Sequence, residues 1–138
     1  MLLDDIAAYL DANSTALLVG STGNLFKGIM LDEGPNTVTV LYEGSGQASV
    51  KAFSTSTGSV DRLYEQPTLD VLCRSTSYQT ARTNAETVFG LLDGLVDQTL
   101  SGTRYRSIEA LGSPGFISRD QNERFVIGVT FDVQKEIG

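Results

Sequence analysis

Apolar and polar residues alternate most regularly in two stretches of the chain, Thr68–Arg74 and Phe125–Gln134. In the first stretch, Leu69, Val71 and Cys73 fall on one side of an extended chain, and in the second every other residue is apolar. Alternation with a period of two is typical of a strand that buries one face. Both stretches are therefore predicted to be strands whose apolar side faces the core.

A helical pattern follows the first of these strands. From Ala81 to Val96, apolar residues recur every three or four positions, which makes one apolar stripe about four turns long. Ser77 is a suitable N-cap, because its hydroxyl can accept a hydrogen bond from a backbone N–H of the first turn. A second pattern at Leu3–Ala12, with Asp4 and Asp5 near its start, predicts a short N-terminal helix.

The remaining segments predict shorter strands and turns. Leu25–Leu31 and Thr37–Glu43 are predicted to be strands, joined as a hairpin across the turn cluster Glu33–Asn36. Tyr105–Leu111 is predicted to be a strand with a bulge. The stretch 44–60 is rich in Gly, Ser and Thr and predicts a flexible surface loop, within which Ala48–Phe53 is a candidate third short strand.

The order of these elements indicates the fold class. Short connections between neighbouring strands favour antiparallel pairing. The sequence therefore predicts an α+β fold, with a mostly antiparallel β-sheet, one long helix packed on a face and a short N-terminal helix. There is no internal repeat and no strong shift in composition, so residues 1–138 are expected to form a single domain.

The composition excludes the commonest catalytic and metal sites. The chain has no His and one Cys, Cys73, so it lacks the usual general base and cannot form an internal disulfide or a cysteine-based metal site. The Gly20–Gly28 segment lacks the spacing of a phosphate-binding loop. The adjacent carboxylates Asp4–Asp5 and Asp32–Glu33 lack the spacing of a calcium loop. No catalytic residue, cofactor or metal ion is therefore predicted.

The net charge narrows the range of partners. A net charge of −7 repels the phosphates of nucleic acids, so specific nucleic-acid binding is not expected. The N-terminus is acidic where a signal peptide would be basic, and no apolar run approaches the roughly 18–20 residues that span a membrane. A soluble, intracellular protein with no membrane partner is expected.

Five residues are candidate contacts with another protein subunit. Arg119, Asp120 and Arg124 lie between a Gly–Pro breaker and the last strand, and Arg74 and Tyr78 flank the corner where a strand passes into the long helix. Ion pairing within the loop is one interpretation, and it would contribute about 0–1 kcal/mol if exposed. The other interpretation is a charge pattern that pairs with an adjacent subunit. Both interpretations fit the sequence.

The same part of the chain resembles a known family, the tail terminator or minor capsid proteins of long-tailed bacteriophages. The likeness covers the C-terminal half, while the first 66 residues agree with the family only in the order of elements. Where the family often has Gly and Asp, this chain has Ser75 and Ser77, so a contact through that aspartate's charge would be lost. The matching positions are Pro67, Val71–Arg74, Tyr78, Ala81–Arg82, Ala85–Glu86, Gly102, Tyr105, Ile108, Pro114, Arg119–Asp120 and Arg124–Phe125.

The resemblance implies a structural virion protein and not an enzyme. Such proteins form a ring, usually a hexamer, at the head-proximal end of the tail tube, where the ring ends tube polymerisation and provides the head-joining surface. The implied partners are further copies of the chain, the tail tube protein and the head–tail connector or neck protein, with DNA passing through the lumen without specific binding. The implied location is the tail or neck of the virion, after assembly in the host cytoplasm.

Two alternatives stay open. One is another neck or head-completion protein, which would share the partners but not the terminating role. The other belongs to a different class, a small acidic binding or regulatory domain of a cell, and predicts a monomer or dimer that never forms a ring.

Overall fold

The computed structural model describes residues 1–14, 17, 23–28, 35–53 and 60–136. The elements in this part of the chain are α1 (Leu2–Asn13), β1 (Leu25–Lys27), β2 (Val38–Phe53), β3 (Val60–Ser75), α2 (Tyr78–Leu92), β4 (Leu95–Leu100), β5 (Thr103–Ala110), β6 (Gly115–Arg119) and β7 (Phe125–Glu136). The strands form one seven-stranded sheet in the order β1-β2-β3-β7-β5-β4, and β6 also pairs with β7. All pairings except β1–β2 are antiparallel, which confirms the predicted α+β fold.

The core lies between one face of the sheet and the two helices. Leu69, Val71 and Cys73 of β3 are fully buried, as their alternation predicts, and each lies beside an apolar residue of β7. Helix α2 packs mainly on the central strands β3 and β7, whereas α1 packs on β1, β2 and β4. The helices contribute Leu2, Ile6, Leu10, Ala81, Ala85, Val88 and Leu92 to this core.

A buried hydrogen bond ties α1 to the sheet. The Tyr105 hydroxyl of β5 donates to Oδ2 of Asp5 at 2.6 Å, and Asp5 is only 4% exposed. Burial, together with the adjacent Asp5 carboxylate, raises the pKa of Tyr105 above its ordinary value. The phenol therefore stays protonated and keeps its donor role.

Helix α2 begins where the sequence predicts and ends earlier. Oγ of Ser77 accepts a hydrogen bond from the Thr80 backbone N–H at 3.3 Å, which confirms the predicted N-cap. The helix ends at Leu92, and the last residues of the predicted stripe belong to β4. Gly94 turns the chain with a φ of +85°, a conformation that residues with a Cβ rarely adopt. Val96 is 65% exposed, so its place in the apolar stripe does not reflect burial.

The predicted hairpin between the first two strands is wrong in its direction. β1 runs parallel to β2, with Leu25 beside Thr39, and the Gly28 N–H donates to the Leu41 carbonyl at 2.8 Å. A hairpin turn joins antiparallel strands, so the parallel pairing excludes the predicted hairpin. Residues 29–34 of that connection lie outside the described part of the chain.

The hairpin of β2 and β3 occupies much of the predicted loop. The candidate strand Ala48–Phe53 is confirmed as the end of β2. The strand also includes residues 44–47, so the flexible loop is wrong for residues 44–53, and residues 54–59 lie outside the described part of the chain. A Cβ at Gly46 would lie 1.9 Å from the Gln66 carbonyl oxygen, and Gly46 has a φ of +63°. This glycine therefore permits a bulge and a close approach of two strands.

Two strands pair with β7 besides β3, and the sequence predicts only one of them. β5 confirms the strand predicted at Tyr105–Leu111, and its register shifts between Tyr105 and Ser107, as expected of a bulge. The short strand β6 was not predicted. It places Gly115 beside Gly128 of β7, so Arg119 ends a strand and does not lie in a loop.

Candidate assembly surfaces

The turn between β6 and β7 is organised by Asp120. Its Oδ1 accepts hydrogen bonds from the backbone N–H groups of Asn122 and Arg124, at 3.0 and 2.9 Å. Its Oδ2 accepts from Nε of Arg124 at 2.8 Å. Desolvation favours the neutral acid, but the hydrogen bonds from Arg124 and Asn122 outweigh it and lower the pKa of Asp120. Asp120 is therefore ionised at neutral pH and stabilises the turn.

Arg124 is a buried partner of that carboxylate. Its side chain is 2% exposed, and Glu123 before it has a φ of +61°, which marks a tight turn. A guanidinium this buried offers little surface to a neighbouring subunit. For Asp120 and Arg124, the geometry favours ion pairing within the turn over pairing between subunits.

Arg119 and Tyr78 meet at an exposed cluster that we call the aromatic corner, formed by Tyr78, Arg119 and Phe125. The Tyr78 and Phe125 rings are 5.6 Å apart with an interplanar angle of 88°, and the Arg119 guanidinium lies 5.0 Å from the Phe125 ring centroid. Tyr78 is 43% exposed, so the corner is open to a partner. Phe125 was missed as a site residue, although it directly follows Arg124 at the start of the last alternating run.

Arg74 lies apart from this corner. It is 1% exposed, and its Nη2 donates to the Pro35 carbonyl at 2.9 Å. Its position in the strand is opposite in phase to that of Cys73, so it lies on the face of the sheet away from the helices. Arg74 therefore holds the segment before β2 against the sheet.

That second face also carries an apolar depression, which the sequence pattern does not indicate. It has a volume of about 540 Å³, is open to solvent, and its lining includes Leu72, Leu111, Phe116 and Ile117. The last three of these side chains are 55–61% exposed. A Cβ on Gly128 would lie 2.9 Å from Cγ1 of Ile117, so the glycine lets Ile117 lie directly on the sheet.

One carboxylate, Asp70, lines the depression, and two more, Glu109 and Asp132, lie farther along β5 and β7 on the same face of the sheet; we call the three the acidic row. Glu109 lies beside Asp132 in the β5–β7 register, and Asp70 lines the depression and accepts a hydrogen bond from Thr130 at 2.7 Å. Within the described residues, no cation lies within salt-bridge distance of these three carboxylates. The row is therefore a local excess of negative charge beside apolar surface.

The described residues contain neither a spanning helix nor a metal cluster. No helix among them has the length and apolar character to cross a membrane, and no group of three or more candidate ligand side chains among them is arranged around an ion site. Cys73 is fully buried, and burial raises the pKa of its thiol to about 11. The thiol is thus neutral and inaccessible at neutral pH.

Comparison with protein-family models gives a match over residues 13–137, to the family described as bacteriophage tail terminator protein. The chain belongs to this family. The match includes most of the N-terminal half, where the resemblance in the sequence rested only on the order of elements. It confirms the predicted family and makes the tail terminator a structural protein of the virion tail.

Two solved structures share the fold of this tail terminator. A chain from the virion of a native gene transfer agent particle aligns with a TM-score of 0.66 and 17% identity, over 99% of this chain and 95% of that one. A second solved chain aligns with a TM-score of 0.56 and 12% identity, over 99% and 92% of the two chains. No curated protein sequence matches the chain. At these identities the likeness establishes the fold of the whole chain.

Proposed function

We propose that this tail terminator forms a closed ring, a hexamer, at the head-proximal end of the tail tube. There the ring ends polymerisation of the tube and provides the surface that joins the head. The observation that carries the proposal is the family match over residues 13–137. The partners are then other copies of the chain, the tail tube protein and the head–tail connector or neck protein, assembled in the host cytoplasm.

Two chemically different surfaces on one subunit support the proposal of a ring. A closed ring needs heterologous contacts, in which two different patches of each subunit meet. The aromatic corner includes Tyr78 at the N-terminus of α2, whereas the depression and the acidic row lie on the opposite face of the sheet. A subunit with exposed patches of different chemistry on different sides can pair head to tail.

The net charge supports a passive role toward DNA. A net charge of −7 gives the protein no general attraction for a phosphate backbone. DNA would therefore pass through the ring without specific binding, because no counterion release would hold it there.

Measuring the mass of the protein in solution tests whether it forms a ring. Light scattering across protein and salt concentration, with imaging of the largest species, should show a closed ring that forms as concentration rises. A protein that remains monomeric under every condition and is absent from purified tails would contradict the proposal.

A further inference from the structure

Exposed apolar side chains are concentrated in two patches, the aromatic corner and the depression. Tyr78 belongs to the aromatic corner, and three further exposed side chains line the depression. Exposed apolar surface with polar groups at its rim is typical of protein–protein contacts. Both patches are therefore candidates for burial in an assembly. Among the described residues, the exposed large apolar side chains are those of Met1, Tyr78, Val96, Leu111, Phe116 and Ile117.

The two patches carry opposite charge. The side chain of Arg119 in the aromatic corner is 52% exposed and lies 3.7 Å from Glu123, whose side chain is 81% exposed. An ion pair this exposed contributes little and can be exchanged for a pair with another partner. Asp70 lines the depression, and within the described residues no cation lies within salt-bridge distance of it. Aromatic rings beside a cation therefore complement apolar surface beside a carboxylate.

We propose that the aromatic corner of one copy lies in the depression of a neighbouring copy. The Tyr78 ring would cover Leu111 and Ile117. The Arg119 guanidinium would pair with the Asp70 carboxylate, and a pair from which water is excluded interacts more strongly than one on an open surface. This inference rests on the proposed ring and names the heterologous contact that builds it.

The aromatic corner cannot fill the depression of its own chain. Arg119 is stacked on Phe125, which alternates with the core residue Ile127, so the corner lies on the helix side of the sheet. Asp70 lies on the other face, beside Thr130. Thr130 follows Phe125 by five positions on β7, which is about 17 Å along a strand. A second copy must therefore supply the corner.

A second stacked guanidinium among the described residues supplies the alternative contact. Arg106 lies 5.0 Å from the Tyr64 ring centroid. Tyr64 and Asp70 are an even number of positions apart on β3, so Arg106 and the acidic row share one face of the sheet. If Arg106 paired with the acidic row of another copy, two identical faces would meet about a two-fold axis and form a dimer. The aromatic corner and the depression lie on opposite faces, so their contact can repeat around a ring.

Disulfide cross-linking between two different variants tests the contact. Gln79→Cys, beside the aromatic corner, and Ser113→Cys, in the depression, are made in separate chains, mixed and mildly oxidised; both replace exposed residues. A disulfide needs Cα atoms about 4.4–6.8 Å apart, so a covalent pair between unlike chains is expected only if the corner reaches the depression. The native Cys73 is fully buried and should not contribute. Thr99→Cys, exposed on β4, replaces Gln79→Cys in the control.

An exchange of charges tests the same contact without cross-linking. Arg119→Glu should raise the concentration needed for half-maximal association by about tenfold, because two carboxylates would then meet. Arg119→Glu combined with Asp70→Lys restores a pair of opposite charges and should recover most of that loss. The control combines Arg119→Glu with Glu43→Lys, at an exposed position of β2, which restores the same net charge without restoring the pair. The melting temperature of each variant shows whether it is folded.

The outcomes separate this inference from the proposed function. A ring that forms normally, with no cross-link above the Thr99→Cys control and no rescue specific to Asp70→Lys, would overturn the corner contact alone. Ser113→Cys chains that link to one another, in a protein that forms dimers and no ring, would indicate the two-fold contact and overturn both proposals. A wild-type protein that never associates and is absent from tails would overturn the ring, and the corner contact with it.

Discussion

At the scale of single residues, charged side chains near one another serve different purposes. Arg124 and Arg119 are five positions apart, yet Arg124 is buried against Asp120 while Arg119 is half-exposed on the Phe125 ring. The first stabilises the turn. The second lies 3.7 Å from Oε2 of Glu123 and still exposes about half of its side chain to a partner. Sequence position alone does not distinguish the two, because the difference depends on which side of the turn each residue faces.

Replacing Arg124 with Ala should therefore lower stability. It removes the charged hydrogen bond to Asp120, and we expect the free energy of unfolding to fall by about 1.5–3 kcal/mol. Arg119→Ala is the control and should change it by less than about 1 kcal/mol. Urea denaturation measures both. Equal effects of the two substitutions would show that the Asp120–Arg124 pair does not stabilise the turn.

The lowered pKa of Asp120 predicts a pH dependence. Its folded-state pKa lies below the ordinary value of 3.8, so it is the ionised carboxylate that stabilises the turn. Its contribution to the free energy of unfolding is therefore fully present above pH 3.8. The contribution is lost as pH falls from 3.8 through the folded-state pKa. Denaturation of wild type and Asp120→Asn should therefore differ most at neutral pH and converge in acid. A gap between the two that persists or widens in acid would count against this assignment.

At the scale of elements, two glycines near the end of α2 have opposite roles. Gly90 lies inside the helix and Gly94 follows it with a φ of +85°, and an added Cβ would meet nothing within 4 Å at either position. Both positions have room for a Cβ, so the two sites differ only in their backbone conformation.

Gly90→Ala and Gly94→Ala should change stability in opposite directions. Alanine at position 90 should stabilise the protein by about 0.5–1 kcal/mol, because glycine is a poor helix former. Alanine at position 94 should destabilise it by about 1 kcal/mol or more, because the left-handed conformation is strained for a residue with a Cβ. Melting curves of the pair provide the comparison, and a shared sign would contradict the helix end at Leu92.

The elements that the sequence predicted well are those whose pattern reflects burial. β3, β7 and the start of α2 have a buried face on a regular period, and Ser77 is a local capping signal. β4 and β6 are short and mostly exposed, so they carry little such pattern. The direction of β1 and the length of the β2–β3 hairpin depend on pairing between distant parts of the chain, which periodicity does not encode.

The candidate site was predicted only in part for the same reason. The charges of Asp120 and Arg124 marked the turn, but their pairing within it depends on a local geometry that the sequence does not give. Arg119 and Tyr78, chosen from their positions at element ends, stay predicted contacts with another subunit. Their shared contact, Phe125, and the depression over Gly128 depend on strand register. The depression in particular joins β3, β7 and the β5–β6 connection, which no single stretch of sequence reveals.

At the scale of the whole molecule, an acidic chain must associate through local contacts. Copies with a net charge of −7 repel one another, but at physiological ionic strength that repulsion is screened beyond about 8 Å. A contact through exposed apolar surface, such as that of the depression, acts at shorter range than this. Local complementarity can therefore outweigh net repulsion in a ring of identical subunits.

The length of assembled tails tests the terminating role most directly. Tails are assembled with and without this protein, and electron microscopy measures their length distribution. Without the protein, we expect tails of uncontrolled length, and adding it should restore one defined length. Tails that have their normal, uniform length without the protein, and fail only to join heads, would exclude the terminating role and indicate a neck protein instead.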